Sequence, residues 1–183
     1  MADDGATGPR RILVLGGARS GKSRHAQGLA ERLAAPPWTY IATAEALDAE
    51  MAARIAAHRS DRGPDWRTVE APHRLAAALT AAARPGRAVL VDCLTLWLSN
   101  RLLAEADLEA EGAALAAAFA ALPGPVVCVA NEVGLGIVPD NALARRFRDA
   151  AGRLNQSMAA AADGVLFLAA GLPLALKGDF PAV

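Results

Sequence analysis

Short apolar runs alternate with longer amphipathic stretches along most of the chain. The apolar runs are typical of buried strands, which we predict at 11–15, 39–42, 66–70, 88–91, 126–130 and 165–169, with a further edge strand at 172–177. The spacing of apolar residues between these runs predicts helices at 23–34, 48–58, 72–83, 94–106, 108–122 and 140–162. Strands that are apolar throughout and alternate with helices predict an α/β fold with a mostly parallel sheet covered on both faces.

The last predicted helix is the longest. Asp140 is a suitable N-cap, and Leu143, Phe147, Leu154 and Met158 fall on one stripe of the helix. We therefore expect this stripe to face the sheet.

Composition limits the classes of function. Of the 183 residues 54% are hydrophobic and 21% charged, and the formal net charge is +0, so the chain is globular and nucleic acid is not expected as a partner. Residues 1–10 form a polar leader without the apolar core of a signal peptide, and no segment has the length for stable membrane insertion, so we expect a cytoplasmic protein. Residues 11–183 are predicted to form one domain.

Cys93 and Cys128 lie in apolar runs and are interpreted as buried, reduced thiols.

The first predicted strand leads directly into the pattern G-x-x-x-x-G-K-S. This pattern is typical of a P-loop, whose backbone N–H groups and following helix N-terminus surround the phosphates of ATP or GTP. The residues predicted to bind these phosphates are Gly16, Gly17, Ala18, Arg19, Ser20, Gly21, Lys22 and Ser23. The lysine is the expected contact to the outer phosphates.

Asp92 ends the predicted strand at 88–91, where P-loop enzymes place a carboxylate near Mg²⁺. Ser23 and Asp92 are therefore the candidate ligands of Mg²⁺. The switch pattern D-x-x-G does not follow Asp92, and the guanine-reading pattern N-K-x-D does not occur. A small-molecule kinase or a nucleotidyltransferase is thus favoured over a signalling GTPase.

The three histidines differ in their setting. His58 shares the inward face of the predicted helix 48–58 with Met51 and Ile55, and this pattern alone favours a packed or helix-capping residue. His25 is interpreted as structural or as an auxiliary near the phosphates, and His73 as exposed.

Several further stretches carry a resemblance to a known family. These are GGARSGKSRH (16–25), YIAT (40–43), EMAARIAAH (50–58), WRT (66–68) with Glu70, DCLTLWLSN (92–100), NEVGLGIVPDNALARRFR (131–148) and GRLNQ (152–156). In this order they resemble the bifunctional adenosylcobinamide kinase / adenosylcobinamide-phosphate guanylyltransferase family of cobalamin biosynthesis. We therefore expect a P-loop NTPase domain of the RecA-like type.

The resemblance implies two reactions. A nucleoside triphosphate first phosphorylates adenosylcobinamide, and GMP is then transferred from GTP to adenosylcobinamide phosphate through a GMP-histidine intermediate. The matching histidine is His58, which reverses the interpretation from pattern alone; a neutral imidazole is a competent nucleophile near neutral pH. Lys22 is the second catalytic residue. Besides the P-loop, the nucleotide contacts implied by the resemblance are Ala42, Thr43, Ala44, Arg59, Ser60, Asp61, Arg62, Glu70 and Asp92.

Other interpretations remain open from the residues themselves. The chain could be a monofunctional kinase of another small metabolite with a structural His58, or a nucleotide-gated binding module. Glu132, at a predicted strand end, is either a base or water-mediated metal contact, or an acid that braces its loop. The resemblance also implies a homotrimer.

Overall fold

A seven-stranded sheet forms the centre of the protein in the computed structural model, which describes residues 10–45 and 62–180. The strands are β1 (Arg11–Gly16), β2 (Trp38–Ala42), β3 (Trp66–Glu70), β4 (Val89–Asp92), β5 (Val126–Asn131), β6 (Gly164–Ala169) and β7 (Leu172–Lys177). They lie in the order β3-β2-β4-β5-β1-β6-β7. The first six are parallel, and β7 pairs antiparallel with β6 at one edge, so both the mostly parallel sheet and the edge strand are confirmed.

Both faces of the sheet are covered by helices, as predicted. The described helices are α1 (Lys22–Leu33), α2 (Leu75–Ala82), α3 (Leu94–Leu103), α4 (Leu108–Ala120) and α5 (Ala142–Ala161). Strand β1 shows the two-sided burial: Ile12 and Val14 pack in the core with α1, whereas Leu13 and Leu15 pack in the core with α2–α5. Alternation of side chains along a strand accounts for this division, and burial on both faces explains why the run is apolar throughout.

Helix α5 differs from its prediction at its start. Asn141, not Asp140, is the N-cap, and its side-chain oxygen accepts a hydrogen bond from the backbone N–H of Ala144 at 2.7 Å. Leu143 is 54% exposed, because the first turn of α5 extends beyond the part of the helix that packs against the core. The apolar stripe is therefore confirmed for Leu154 and Met158, which are buried, and for Phe147, which is half-buried and packs against the core, but not for Leu143.

Helix α2 starts later than predicted because the backbone before it bonds to α3. The carbonyl oxygen of Pro72 accepts from the Asn100 side chain at 3.1 Å, and that of His73 accepts from the Trp97 indole at 3.0 Å. Helix α3 ends at Leu103, and Glu105 takes a left-handed conformation with φ 54°.

The two cysteines are buried free thiols, as expected from their apolar surroundings. Burial, followed by the nearby negative charge of Asp92, raises the pKa of Cys93 to about 11, and burial also raises the pKa of Cys128. Among the described helices, none is long and apolar enough to cross a membrane. Residues 1–9 of the predicted leader 1–10 and the whole predicted helix 48–58 lie outside the described residues.

Candidate active site

The glycine-rich loop connects the end of β1 to the start of α1. Gly21, the N-cap of α1, has φ 90°, and Arg19 has φ 57°, so the backbone turns sharply just before the helix. No side chain caps the helix. The first N–H groups of α1 therefore point towards the loop, where they can bind an anion with the help of the helix dipole.

The β6–β7 hairpin supports this loop from the side. The backbone N–H of Gly171, in the hairpin turn, donates to the carbonyl oxygen of Ser20 at 3.0 Å. Ala170 and Gly171 both have positive φ, 53° and 81°, as a two-residue type I′ turn requires. Sequence reasoning did not find this contact, because an Ala-Gly turn indicates a hairpin but not what the hairpin touches.

Two polar side chains of the loop are enclosed by the protein. Lys22 is only 8% exposed, and its Nζ donates to the carbonyl oxygen of Gly17 at 2.9 Å. The Ser20 hydroxyl is buried and has no hydrogen-bond partner among the described residues. A buried polar group without a partner costs free energy, and a bound phosphate would remove that cost.

Asp92 is the last residue of β4 and lies on the face of the sheet that α1 covers. It is paired in register with Ala42 of β2, and β5 separates its strand from β1. Asp92 and Ser23 line the same cavity. One hydroxyl and one carboxylate fit Mg²⁺, which is commonly held by one or two protein oxygens together with water and substrate phosphates.

The cavity between α1 and β2 has a volume of about 650 Å³. Polar side chains line most of its wall: Ser23, Arg24, Gln27, Glu31, Tyr40, Arg62 and Asp92, with Gly28 between them. Sequence reasoning missed Arg24, Gln27, Glu31 and Tyr40. The spacing of Ser23, Gln27 and Glu31, four residues apart on one side of α1, is the signal that could have found part of this wall.

Thr43 is placed at this edge of the sheet but does not face the cavity. It is completely buried, its hydroxyl donates to the carbonyl oxygen of Cys93 at 2.7 Å, and the N–H of Cys93 donates back at 2.8 Å. The side-chain amide of Asn100 donates a hydrogen bond to the carbonyl oxygen of Thr43 at 2.8 Å. The Thr43 side chain therefore fastens the end of β2 to the residue after Asp92.

The remaining predicted residues are only partly described. Ala42 and Ala44 flank Thr43, and Glu70 is exposed at the end of β3, in register with Ala42. The guanidinium of Arg62 lies 3.6 Å from the centre of the Tyr40 ring. His58, Arg59, Ser60 and Asp61 lie outside the described residues.

With this geometry in place, similarity to known proteins identifies the family. Residues 12–176 match the family described as cobinamide kinase / cobinamide phosphate guanyltransferase. The chain belongs to this family. The resemblance seen in the sequence is thereby confirmed.

Two relatives of the cobinamide kinase / guanyltransferase family cover nearly the whole chain. The bifunctional adenosylcobalamin biosynthesis protein CobP of Pseudomonas aeruginosa is 52% identical over 174 residues, which make up 92% of this chain and 98% of that protein. The bifunctional adenosylcobalamin biosynthesis protein CobU of Salmonella typhimurium is 46% identical over 181 residues, or 91% of this chain and 99% of that protein.

A solved structure shares the fold. The flagellar accessory protein FlaH from Methanocaldococcus jannaschii aligns with a TM-score of 0.50 and 14% identity, covering 94% of this chain and 81% of that protein. At this identity the likeness supports the fold alone. The predicted α/β P-loop class is confirmed.

His25, His73 and Glu132 have different surroundings. Burial, with a smaller contribution from Arg32, lowers the pKa of His25, and its Nε2 has no partner among the described residues. His73 is exposed, as predicted, and its Nε2 lies 3.0 Å from a carboxylate oxygen of Glu45. The Glu132 carboxylate accepts from the N–H of Gly134 at 2.6 Å, which is the loop-bracing arrangement.

Proposed function

We propose that this chain phosphorylates adenosylcobinamide with ATP or GTP and then transfers GMP from GTP to adenosylcobinamide phosphate, which gives adenosylcobinamide-GDP. The observation that carries the proposal is the P-loop beside a cavity lined by Ser23 and Asp92, in a chain that matches the cobinamide kinase / guanyltransferase family over residues 12–176.

In the first reaction the acceptor hydroxyl attacks the γ-phosphorus and the bond to the β-phosphate oxygen breaks. The residues of the P-loop bind the phosphate chain through backbone N–H groups, and Lys22 exchanges its contact with Gly17 for the outer phosphates. Ser23 and Asp92 would hold Mg²⁺, which supplies neutralising charge for the phosphate oxygens. Thr43 keeps Asp92 in place by fastening Cys93.

In the second reaction His58 is the proposed nucleophile. Its imidazole attacks the α-phosphorus of GTP, the bond to the β-phosphate oxygen breaks, and pyrophosphate leaves. A phosphate oxygen of the acceptor then attacks the same phosphorus and the P–N bond to His58 breaks. Arg59, Ser60, Asp61, Arg62 and Glu70 are the proposed additional contacts to the nucleotide.

The proposal includes features of the whole protein. Residues 11–183 form one catalytic domain, the protein is a cytoplasmic homotrimer without stable membrane insertion, and nucleic acid is not a partner. The family resemblance supports the trimer, and the net charge of +0 argues against a nucleic-acid partner. Light scattering on the pure protein should give three times the mass of the chain.

The products of each step test the proposal directly. Purified protein with Mg²⁺, adenosylcobinamide and ATP should form adenosylcobinamide phosphate, and addition of GTP should convert it into adenosylcobinamide-GDP. His58→Ala should keep the first product and lose the second. If the wild type forms only the phosphate under both conditions, the monofunctional kinase is the better description.

A further inference from the structure

Three aromatic rings form a row on the face of the sheet that α1 covers. Trp38 of β2 packs against Trp66 of β3 with ring centres 5.4 Å apart, and Tyr40 meets Trp66 edge to face at 6.3 Å and 82°. The Trp66 indole is itself fixed by a hydrogen bond to Glu31 of α1 at 3.1 Å. The Tyr40 ring is therefore held in one orientation by its neighbours.

Arg62 lies across one face of the Tyr40 ring. Its guanidinium carbon is 3.6 Å from the ring centre, well within the distance at which a cation is attracted to an aromatic face. Its Nη2 is also 3.5 Å from the hydroxyl oxygen of Thr68, the residue paired with Tyr40 in register. The chain brings Arg62 to this place because residues 63–65 turn back into β3, with the N–H of Trp66 donating to the carbonyl oxygen of Gly63.

The stacked guanidinium keeps one donor unused. The Nε atom of Arg62 is buried and has no hydrogen-bond partner among the described residues. Arg62, Ser23 and Asp92 line one cavity, so the side chain that carries this donor borders the same space as the proposed Mg²⁺ ligands. A phosphate oxygen is the partner that suits a guanidinium N–H.

The Tyr40 hydroxyl is not suited to act as a base. Tyr40 is 8% exposed, and burial together with the negative charge of Asp92 raises the pKa of its phenol above the ordinary value. The group therefore stays protonated near neutral pH. Tyr40 therefore presents its ring to Arg62, while its protonated hydroxyl interacts with Asp92.

We propose that Tyr40 is a positioning residue: its ring holds the guanidinium of Arg62 at the cavity, so that the unused Nε–H can donate to a phosphate oxygen of the bound nucleotide. This inference rests on the proposed nucleotide chemistry of the same site. Without the ring, Arg62 would have to lose more side-chain freedom on binding, and affinity for the triphosphate would fall.

Binding of β,γ-methylene GTP with Mg²⁺, measured by calorimetry on the full chain, tests the role of the ring. Tyr40→Leu should weaken binding roughly five- to thirtyfold, the range that a partly to fully desolvated cation–π contact provides. Tyr40→Phe keeps the ring and should recover most of the affinity lost in Tyr40→Leu. In an Arg62→Ala background, Tyr40→Leu should weaken binding by less than about twofold further, because the cation that Tyr40 positions is gone. This comparison is a double-mutant cycle.

Trp38→Leu is the matched control, because it disrupts the same aromatic row without touching Arg62. It should lower the thermal midpoint and leave the affinity unchanged. The proposal is overturned if Tyr40→Phe binds as weakly as Tyr40→Leu, if the losses from Tyr40→Leu and Arg62→Ala add, or if Trp38→Leu weakens binding equally. Wild-type protein that binds no analogue at all would instead remove the proposed function together with this inference.

Discussion

The two ends of the parallel strands both carry polar or charged side chains, but these side chains differ in how many hydrogen-bond partners they have. At the amino end, Arg11 of β1 and Asp163, which precedes β6, form a two-pronged ion pair with N···O distances of 3.1 and 2.5 Å. The backbone N–H groups of Arg10 and Arg11 also donate to Asp163. At the carboxyl end, the Ser20 hydroxyl is buried without a partner among the described residues; the same holds for the Nε atom of Arg62, which precedes β3 and lines the cavity together with Asp92.

The difference separates charge that stabilises the fold from polar groups kept ready for a ligand. A carboxylate that already accepts several hydrogen bonds gains little from a further partner, whereas a buried donor without one gains the full value of the bond it lacks. Variants at the two ends should therefore affect different quantities: activity at the carboxyl end and stability at the amino end.

The largest effect is expected from Lys22→Met. Losing the charge proposed to contact the outer phosphates should lower kcat/KM of the kinase step on the order of 10²–10³-fold, the cost typical of removing one donor that stabilises a transition state. Lys177→Met is the matched control, since the bonds that Lys177 makes to the described residues go to carbonyl oxygens at the end of α5. Equal losses of activity in the two variants would contradict the role of Lys22.

Thr43→Val should affect both quantities, because Thr43 is a buried support of the site. The variant loses both hydrogen bonds to Cys93, which should cost about 1–3 kcal/mol of unfolding free energy. Activity should fall at the same time, since Asp92 precedes Cys93. Chemical denaturation and steady-state kinetics measure the two effects.

Thr80→Val provides the comparison for Thr43. Its hydroxyl bonds to the Ala76 carbonyl oxygen on the exposed side of α2, so the free energy of unfolding should change by less than about 0.5 kcal/mol. A Thr43→Val protein as stable and as active as Thr80→Val would show that the network around Cys93 is dispensable.

Apart from the control Thr80→Val, the smallest effect is expected from Asp163→Asn, and it should fall on stability alone. Hydrogen bonding to Arg11 lowers the pKa of Asp163, so the ionised carboxylate stabilises the fold above the ordinary aspartate pKa of about 3.9. This contribution is lost as the pH falls through the lowered value. Both side chains are about one-third exposed, which limits the loss at pH 7 to ~1 kcal/mol.

Denaturant unfolding of wild type and Asp163→Asn at pH 7 and at lower pH tests whether the stabilisation by Asp163 is lost in acid. The difference in unfolding free energy should shrink as the solution becomes acidic, while kcat/KM at pH 7 stays the same in both proteins. A difference that grows in acid, or a loss of activity at pH 7, would contradict a purely structural role for the amino end.

The strands and the P-loop could be predicted because local pattern decides them. A parallel strand buried on both faces needs an unbroken apolar run, and a phosphate-binding turn needs glycines at fixed positions. The apolar run 11–15, followed by the glycine pattern of residues 16–23, was therefore sufficient to predict β1 and the P-loop. The start of α5 was wrong because two neighbouring residues, Asp140 and Asn141, are equally good caps and local sequence does not distinguish them.

The rest of the site depends on tertiary contacts. Tyr40 and Arg62 are separated by 22 positions along the chain and meet only because β2 and β3 pair in register. The contact between Gly171 and Ser20 likewise arises from the β6–β7 hairpin folding beside β1. Residue types alone carry no signal for either contact. The resemblance implied Arg62 as a nucleotide contact but gave no role to the Tyr40 ring that it packs on.

The covalent step tests the account most directly. Pure protein is incubated with Mg²⁺ and GTP labelled at the α-phosphate, beside a sample of His58→Ala. The account predicts protein-bound label on the wild type alone, labile in acid and stable in alkali as a phosphoramidate is. Label that persists on His58→Ala, or its absence from wild-type protein that binds GTP, would contradict transfer through His58.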